Sequence, residues 1–435
     1  MKVGFSRVCI TPPLGCELAG YYCSRKAKGV LDDLFVNAVA YDDGERRALT
    51  ISVDHLHLYT KEVTAFREMI SERCGIPVEA VFISCTHIHT GPSVGEEIAG
   101  VSGSAIYDEY IGIKICDAAQ MALDDAEEAT LSYAVGEAKN ISFVRRFRMR
   151  DGSVRTNPGI GNPDIDHALG KPNEEVYLLK VERETKDDIY IVSFGVHPDV
   201  IGGEYISADW PGFVRTTVEK ALDGVKCAFF TGFEGDVNHF DTSPIKGDWD
   251  IRTGYEHSKH MGRCIAGAVL QICGKTTPIE GNEVGFGNAI ARVESFMEND
   301  KLDDAKRIVE LHNSGRDDEI PGEGMEHTTI VAEAVRRVKL ENGPEYYDFT
   351  MSAVSLGNVA FGGLPGEPFT EIGNRVRANS KFAMTILCCC TNGSPTYFPT
   401  SSAYDEGGYE ARTSYLKRGG DEILIKGLSD LINSL

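Results

Sequence analysis

The sequence predicts an α/β protein, with mixed β-sheets flanked by helices in a single integrated domain spanning residues 1–435. Three observations lead to that expectation. Short β-type runs alternate with helix-type segments along most of the chain. No internal repeat, low-complexity tract or clear linker divides it. Polar residues able to bind metal also follow directly on apolar strands at several distant positions, which is where open α/β sheets place their ligands.

The elements follow in order. "FVNAVAYDD" (35–43) and "RALTISVDHL" (47–56) are two strands joined at an Asp-Gly pair, a hairpin signal. "TKEVTAFREMISERCG" (60–75) has helical periodicity and closes on Gly75, a good stop. "AVFISC" (80–85) is a short apolar strand, and "YDEYIGIKICDAAQMALDDA" (107–126) an amphipathic helix. "TLSYAVGEAK" (130–139), "EVYLLKVER" (175–183), "IYIVSFGVHP" (189–198) and "KCAFFTG" (226–232) are strand-like, with the helical "FVRTTVEKALDG" (213–224) among them. Residues 140–174 are rich in Gly, Pro, Asn and Asp and predict a long loop, a length usually tied to function. Residues 296–342 are charged and poor in strand formers, which predicts a helical insertion able to cover a site. The final part returns to strands and a helix in "FTMSAVSLGNVAFGGLPGEPFTEIGNRVRA" (349–378).

Composition narrows the function. Hydrophobic residues make up 42% and charged residues 25%, the profile of a soluble globular protein with ample core. A formal net charge of −22 opposes binding to nucleic acid or to anionic membrane surfaces. "MKVGFSRVCITPP" has no apolar signal-peptide core, and no apolar run approaches the ~20 residues that span a bilayer. The 12 cysteines include no CxxC. The run Cys388-Cys389-Cys390 follows "AMTIL" as part of a buried strand, where neighbouring side chains face opposite ways and do not pair easily. Reduced thiols in a cytoplasmic protein are the expectation.

Four motifs place a metal-capable residue just past an apolar strand: His87 and His89 in "CTHIHTGPS", His197 in "FGVHPDV", Asp236 in "TGFEGDVNHFD" and Glu367 in "FGGLPGEPF". Singly, each has a plain structural alternative. His197 alone suits a hydrogen-bonded structural role, Glu367 can begin a helix, and Asp236 can support a tight turn. Together they fit a zinc site with His, His and carboxylate ligands and a position open for water, although iron or manganese also accept such donors. Weaker candidates are Asp54, His55 and His57 in "VDHLHL", and His239 and Asp241 as supports.

The series "ITPP", "THxHTGP", "VHP", "GDV" and "LPGEPF", in order across nearly the whole chain, resembles the catalytic domain of the neutral/alkaline (non-lysosomal) ceramidases. The resemblance implies one zinc ion per chain, held by His87, His197, Glu367 and Tyr397, the last in "TNGSPTYFPTSSAYDEGGYE". It implies that His89 lies beside the metal and handles protons, and that Arg145 is important, with a one-residue ambiguity against Arg146. A serine follows "GDV" in that family, whereas Asn238 stands here and cannot serve as a nucleophile. The chain ends soon after the Tyr motif, so the family's immunoglobulin-like C-terminal domain is expected to be absent.

These readings predict a zinc-dependent hydrolase that uses metal-bound water on an amide (N-acyl) or related bond. His89 or Asp236 would accept the proton, and Asn238, with Arg145, would orient the carbonyl. The acidic surface and charged insertion favour a small polar substrate over ceramide and give no stable membrane association. Two alternatives remain open. An amidohydrolase-type (β/α)8 barrel also begins its fingerprint with His-x-His, although two strands and a helix precede the pair here. A non-catalytic, ligand-binding descendant would explain the lost serine but not the retained ligands.

Overall fold

Three parallel strand pairs end at one place, and the rest of the architecture holds them there. The computed structural model describes residues 1–95, 103–298, 300–393 and 396–435. Among these, a nine-stranded sheet runs Val225–Thr231, Asp188–Phe194, Glu175–Arg183, Glu127–Glu137, Lys2–Cys9, Phe35–Asp42, Arg47–Val53, Val81–Cys85, with Thr277–Pro278 added beside Glu127–Glu137. Its inner pairings are antiparallel, and the outermost pair at each edge is parallel. A four-stranded sheet runs Val284–Glu294, Tyr346–Leu356, Val359–Gly363, Met384–Cys388, and its last pair is again parallel. This mostly antiparallel pairing is that of mixed sheets, not of a (β/α)8 barrel, whose eight strands are all parallel.

The two edges of the large sheet approach each other. The Thr231 hydroxyl donates to the Thr86 carbonyl at 2.7 Å. The end of the small sheet wedges between them: Cys389 N–H donates to Thr231 O at 3.1 Å, and Cys85 N–H to Cys390 O at 3.2 Å. Behind this junction Phe361 packs edge-on against Phe82 and Phe230, with ring centres 6.2 and 6.0 Å away. All three rings are at most 1% exposed, so apolar burial fixes the meeting point.

Local sequence explains the elements that feed this junction. In the first hairpin the Asp43 carboxylate accepts the N–H groups of Glu45 and Arg46, the usual way an Asp seeds a turn. The helix Thr60–Cys74 buries Val63, Phe66, Ile70 and Cys74 along one stripe and stops at Gly75, whose φ of 63° suits glycine. Helices Thr60–Cys74 and Ala105–Asp124 cover one half of the large sheet, Asp209–Ala221 and Tyr255–Ile272 the other. Helices Thr370–Asn379 and Gly420–Ser434 pack together behind the small sheet. Residues 140–174, expected as a loop, contain four short strands: Phe143–Val144, Arg146–Met149, Val154–Thr156 and Ile165–Ala168. Pieces of two to four residues are too short to show a period against such a turn-rich background.

Within the expected insertion, Leu302–Asn313 and Met325–Leu340 are helices that pack on each other. Glu333 ties the second helix down: its carboxylate lies 2.6 Å from Arg412 and 2.9 Å from Arg337. Burial alone would raise the Glu333 carboxyl, but Arg412 and Arg337 outweigh it and hold it below its ordinary 4.5. A carboxylate depressed in the folded state contributes stability above its unfolded pKa and loses it as pH falls through the folded value. Limited proteolysis by an acid protease will therefore cut within 302–340 increasingly below about pH 4.5. A Glu333→Gln variant will show the same susceptibility already at neutral pH, read with a protease active there.

Candidate metal centre

Each parallel strand pair delivers side chains to one cluster from the loops beyond its C-terminal ends. After Arg47–Val53 and Val81–Cys85 come His55, His57, His87 and His89. After Asp188–Phe194 and Val225–Thr231 come His197 and Glu234. After Val359–Gly363 and Met384–Cys388 come Glu367 and Tyr397, which face each other where Glu367–Pro368 pairs in parallel with Tyr397–Phe398.

The imidazoles are oriented by main-chain carbonyls. His87 Nδ1 lies 2.9 Å from Leu56 O, His197 Nδ1 3.2 Å from Glu234 O, and His89 Nδ1 3.0 Å from Gly20 O. A carbonyl only accepts, so each Nδ1 carries the proton and leaves the Nε2 lone pair free. None of these Nε2 atoms has a hydrogen-bond partner, and neither has Glu367 Oε2. That oxygen sits 3.4 Å from His87 Nε2 and 3.2 Å from His197 Nε2. His87 itself has a φ of 66°, a strained left-handed conformation for a non-glycine residue.

Lone pairs facing a buried carboxylate repel unless positive charge lies between them. The titration tendencies show the same demand. Burial would push His87 down, but Glu367 lifts it well above its ordinary range. Burial would raise Glu367, yet His87 and His197 hold it well below the usual carboxylate range. Burial, then Arg145, keeps His197 low. A shared proton or a metal ion meets this demand, and the donor set suits a divalent transition metal. The potential ligand atoms of His87, His197, Glu367 and a further residue, Glu234, lie within 4.8 Å of one another, as do those of His87, His89 and His197.

Tyr397 belongs to the same cluster. Its ring stacks on His197 at 6.4 Å, and burial together with the neighbouring Glu367 pushes its phenol well above the ordinary range, with Arg145 opposing. Arg145 is buried, donates through Nε to Glu410 at 2.7 Å, and places its guanidinium 5.3 Å from the Tyr397 ring centre. Arg146 instead binds Glu406 and the Gly407 carbonyl. Of the two adjacent arginines, 145 is thus the one that faces the centre.

The other candidates have partners of their own or line the cavity. Asp236 accepts both the N–H and the hydroxyl of Thr370, at 2.7 and 2.8 Å, and so caps the helix Thr370–Asn379. The Asn238 amide donates to Asn157 at 2.8 Å and accepts from Phe240 N–H at 3.1 Å. His239 pairs with Asp199 at 3.0 Å, and Asp241 accepts from Ser243. Asp54 forms a buried pair with Arg215, whereas His55 and His57 line the cavity. Glu234 and Glu410 were missed from sequence. The signal for Glu234 was its place after the apolar "KCAFFTGF", while Glu410 in "YEAR" resembles any helical surface acid.

The cavity measures about 300 Å³ and is lined by tyrosines 21, 22, 409 and 415, with Arg336 and Lys339 contributed by the helix Met325–Leu340. No protein-family model matches the chain, and none of the curated proteins matches it. Solved structures do. Neutral ceramidase from Pseudomonas aeruginosa aligns with a TM-score of 0.76 and 15% identity, covering 100% of this chain and 74% of that one. A structure described as ceramidase complexed with C2 gives 0.71 and 16%, covering 100% and 75%. The chain has the neutral ceramidase fold. At such identities the likeness speaks for the fold alone.

The Arg145–Glu410 pair is buried on both sides, and removing one partner strands the other. Glu410→Gln is expected to destabilise the protein by about 3–5 kcal/mol in chemical denaturation.

Proposed function

We propose that this protein is a zinc-dependent hydrolase that cleaves the N-acyl (amide) bond of a small polar molecule in the cytoplasm. One observation carries the proposal: His87 Nε2, His197 Nε2 and Glu367 Oε2 converge without partners in a buried site, at 3.2 and 3.4 Å. These three would hold the ion, with the Tyr397 phenol as a fourth ligand. An ion so placed supplies Lewis acidity to water and to a substrate carbonyl.

The remaining chemistry belongs to the chain. His89 keeps a free Nε2 among the same rings, so it takes the proton lost by the attacking water and returns it to the leaving amine. Arg145, anchored by Glu410, positions Tyr397. Asp236 and Asn238 support the turn that carries them, since their polar atoms are occupied.

A cavity of about 300 Å³ is at the small end of ligand pockets and suits an acylated amino sugar or similar sugar derivative better than a two-chain lipid. No helix among the described residues is long and apolar enough to cross a membrane. All twelve cysteines are free, which supports a reducing compartment. A second reading, a ligand-binding protein without turnover, draws support from Asn238, which the sequence resemblance sets at the ceramidase serine position and whose amide is already bonded.

A panel of small N-acyl sugars and amino acids separates the two. Turnover by the zinc-loaded protein is expected, lost with chelator and restored by zinc. His197→Ala and Glu367→Ala should each lower kcat/KM by more than about 10²-fold, beyond the usual effect of a merely orienting residue. Binding without turnover across the panel would favour the second reading.

A further inference from the structure

Directly beside the first cluster lies a second one that hydrolysis at the first does not use. The ligand atoms of Glu234, Cys389 and Cys390 all lie within 4.8 Å of one another. Glu234 and Cys389 are 0% exposed and Cys390 is 2% exposed. Neither Glu234 oxygen accepts a hydrogen bond from nitrogen or hydroxyl, and only the Cys389 thiol acts on it as a weak donor. As a carboxylate it would have lost its water and gained no strong partner, so burial raises its pKa and either a proton or a cation must complete it.

The backbone is bent to make this cluster. Consecutive residues of an extended strand face opposite ways, so adjacent cysteines cannot normally bind one ion. Here the strand Met384–Cys388 has ended, and Cys390 adopts a φ of 42°. That left-handed conformation is strained for a non-glycine residue. It lets the thiols of 389 and 390 share one neighbourhood with Glu234. The sequence-based expectation that these thiols sit on opposite faces of a strand is corrected by this turn.

Glu234 also belongs to the first cluster, with His87, His197 and Glu367, and Cys390 Sγ lies 3.4 Å from His87 Nδ1. One carboxylate therefore stands between a nitrogen-rich group and a sulfur-rich group. Two thiolates with a carboxylate select zinc or a similarly soft divalent ion over magnesium or calcium.

We propose that Glu234, Cys389 and Cys390 hold a second zinc-like ion, with the Glu234 carboxylate bridging it to the ion at His87, His197 and Glu367. The thiolate site stands on its own three ligands; only the bridge rests on the hydrolase reading. On binding, each thiol gives its proton to solvent and its sulfur lone pair to the metal, with no change in oxidation state.

The test is metal titration of the metal-depleted full chain with cobalt(II) and zinc(II), followed by elemental analysis and near-ultraviolet absorption. Two ions per chain and a thiolate-to-cobalt charge-transfer band are expected. The double variant Cys389→Ser/Cys390→Ser should lose the band and one ion, while His197→Ala should keep the band. If the double variant fails to fold, Glu234→Gln should weaken the band-bearing site by at least about 10-fold. One ion per chain without the band, or a band that survives the serine variants, overturns the thiolate site and leaves the hydrolase reading standing. Absence of any bound ion overturns both.

Discussion

A carboxylate buried between imidazole lone pairs needs positive charge, and the fold around Glu367 serves that need. The Glu367 side chain is only 12% exposed, and no lysine or arginine forms an ion pair with it among the described residues. Its close neighbours are His87, His197 and the Tyr397 hydroxyl, themselves oriented by carbonyls and by a buried Arg145–Glu410 pair. Orienting His87, His197 and Tyr397 around Glu367 thus commits the Leu56 and Glu234 carbonyls and the Arg145–Glu410 pair as well. That organisation is typical of metal sites, where outer partners fix ligand tautomer and direction.

Strand direction explains how residues so far apart in sequence come together. A parallel pair puts two C-terminal ends side by side, so two loops emerge together. Three such pairs are clamped by the edge contacts at Thr231, Cys389 and Cys390 and by the aromatic packing around Phe361. Close approach sets local sequence as well. A Cβ at Gly235 would lie 2.3 Å from the Glu367 carbonyl oxygen, so only glycine lets the Glu234–Asp236 turn lie against that strand. The helix Met325–Leu340 then adds Ala332, Val335, Arg336 and Lys339 to the wall of a small cavity.

Much of this was visible in the chain. The hairpin at Asp43, the helix ending at Gly75 and the two insertion helices follow from periodicity and turn chemistry, which are local. His87, His197 and Glu367 were visible as polar residues directly after apolar strands. What stayed hidden depends on three-dimensional geometry. Two acids flank Gly235, and only the turn decides that Glu234 faces the rings while Asp236 caps a helix. Alternation along a strand misleads for the cysteines because the strand stops at Cys388, two residues before the apolar run ends. Glu410 gives no local sign, since its partner Arg145 lies far away in sequence.

The most direct test of the central claim is anomalous diffraction at the zinc absorption edge from crystals of the zinc-loaded protein. The account predicts a peak about 2.0–2.2 Å from His87 Nε2, His197 Nε2 and a Glu367 oxygen. At saturating zinc, no peak among those three atoms would contradict it.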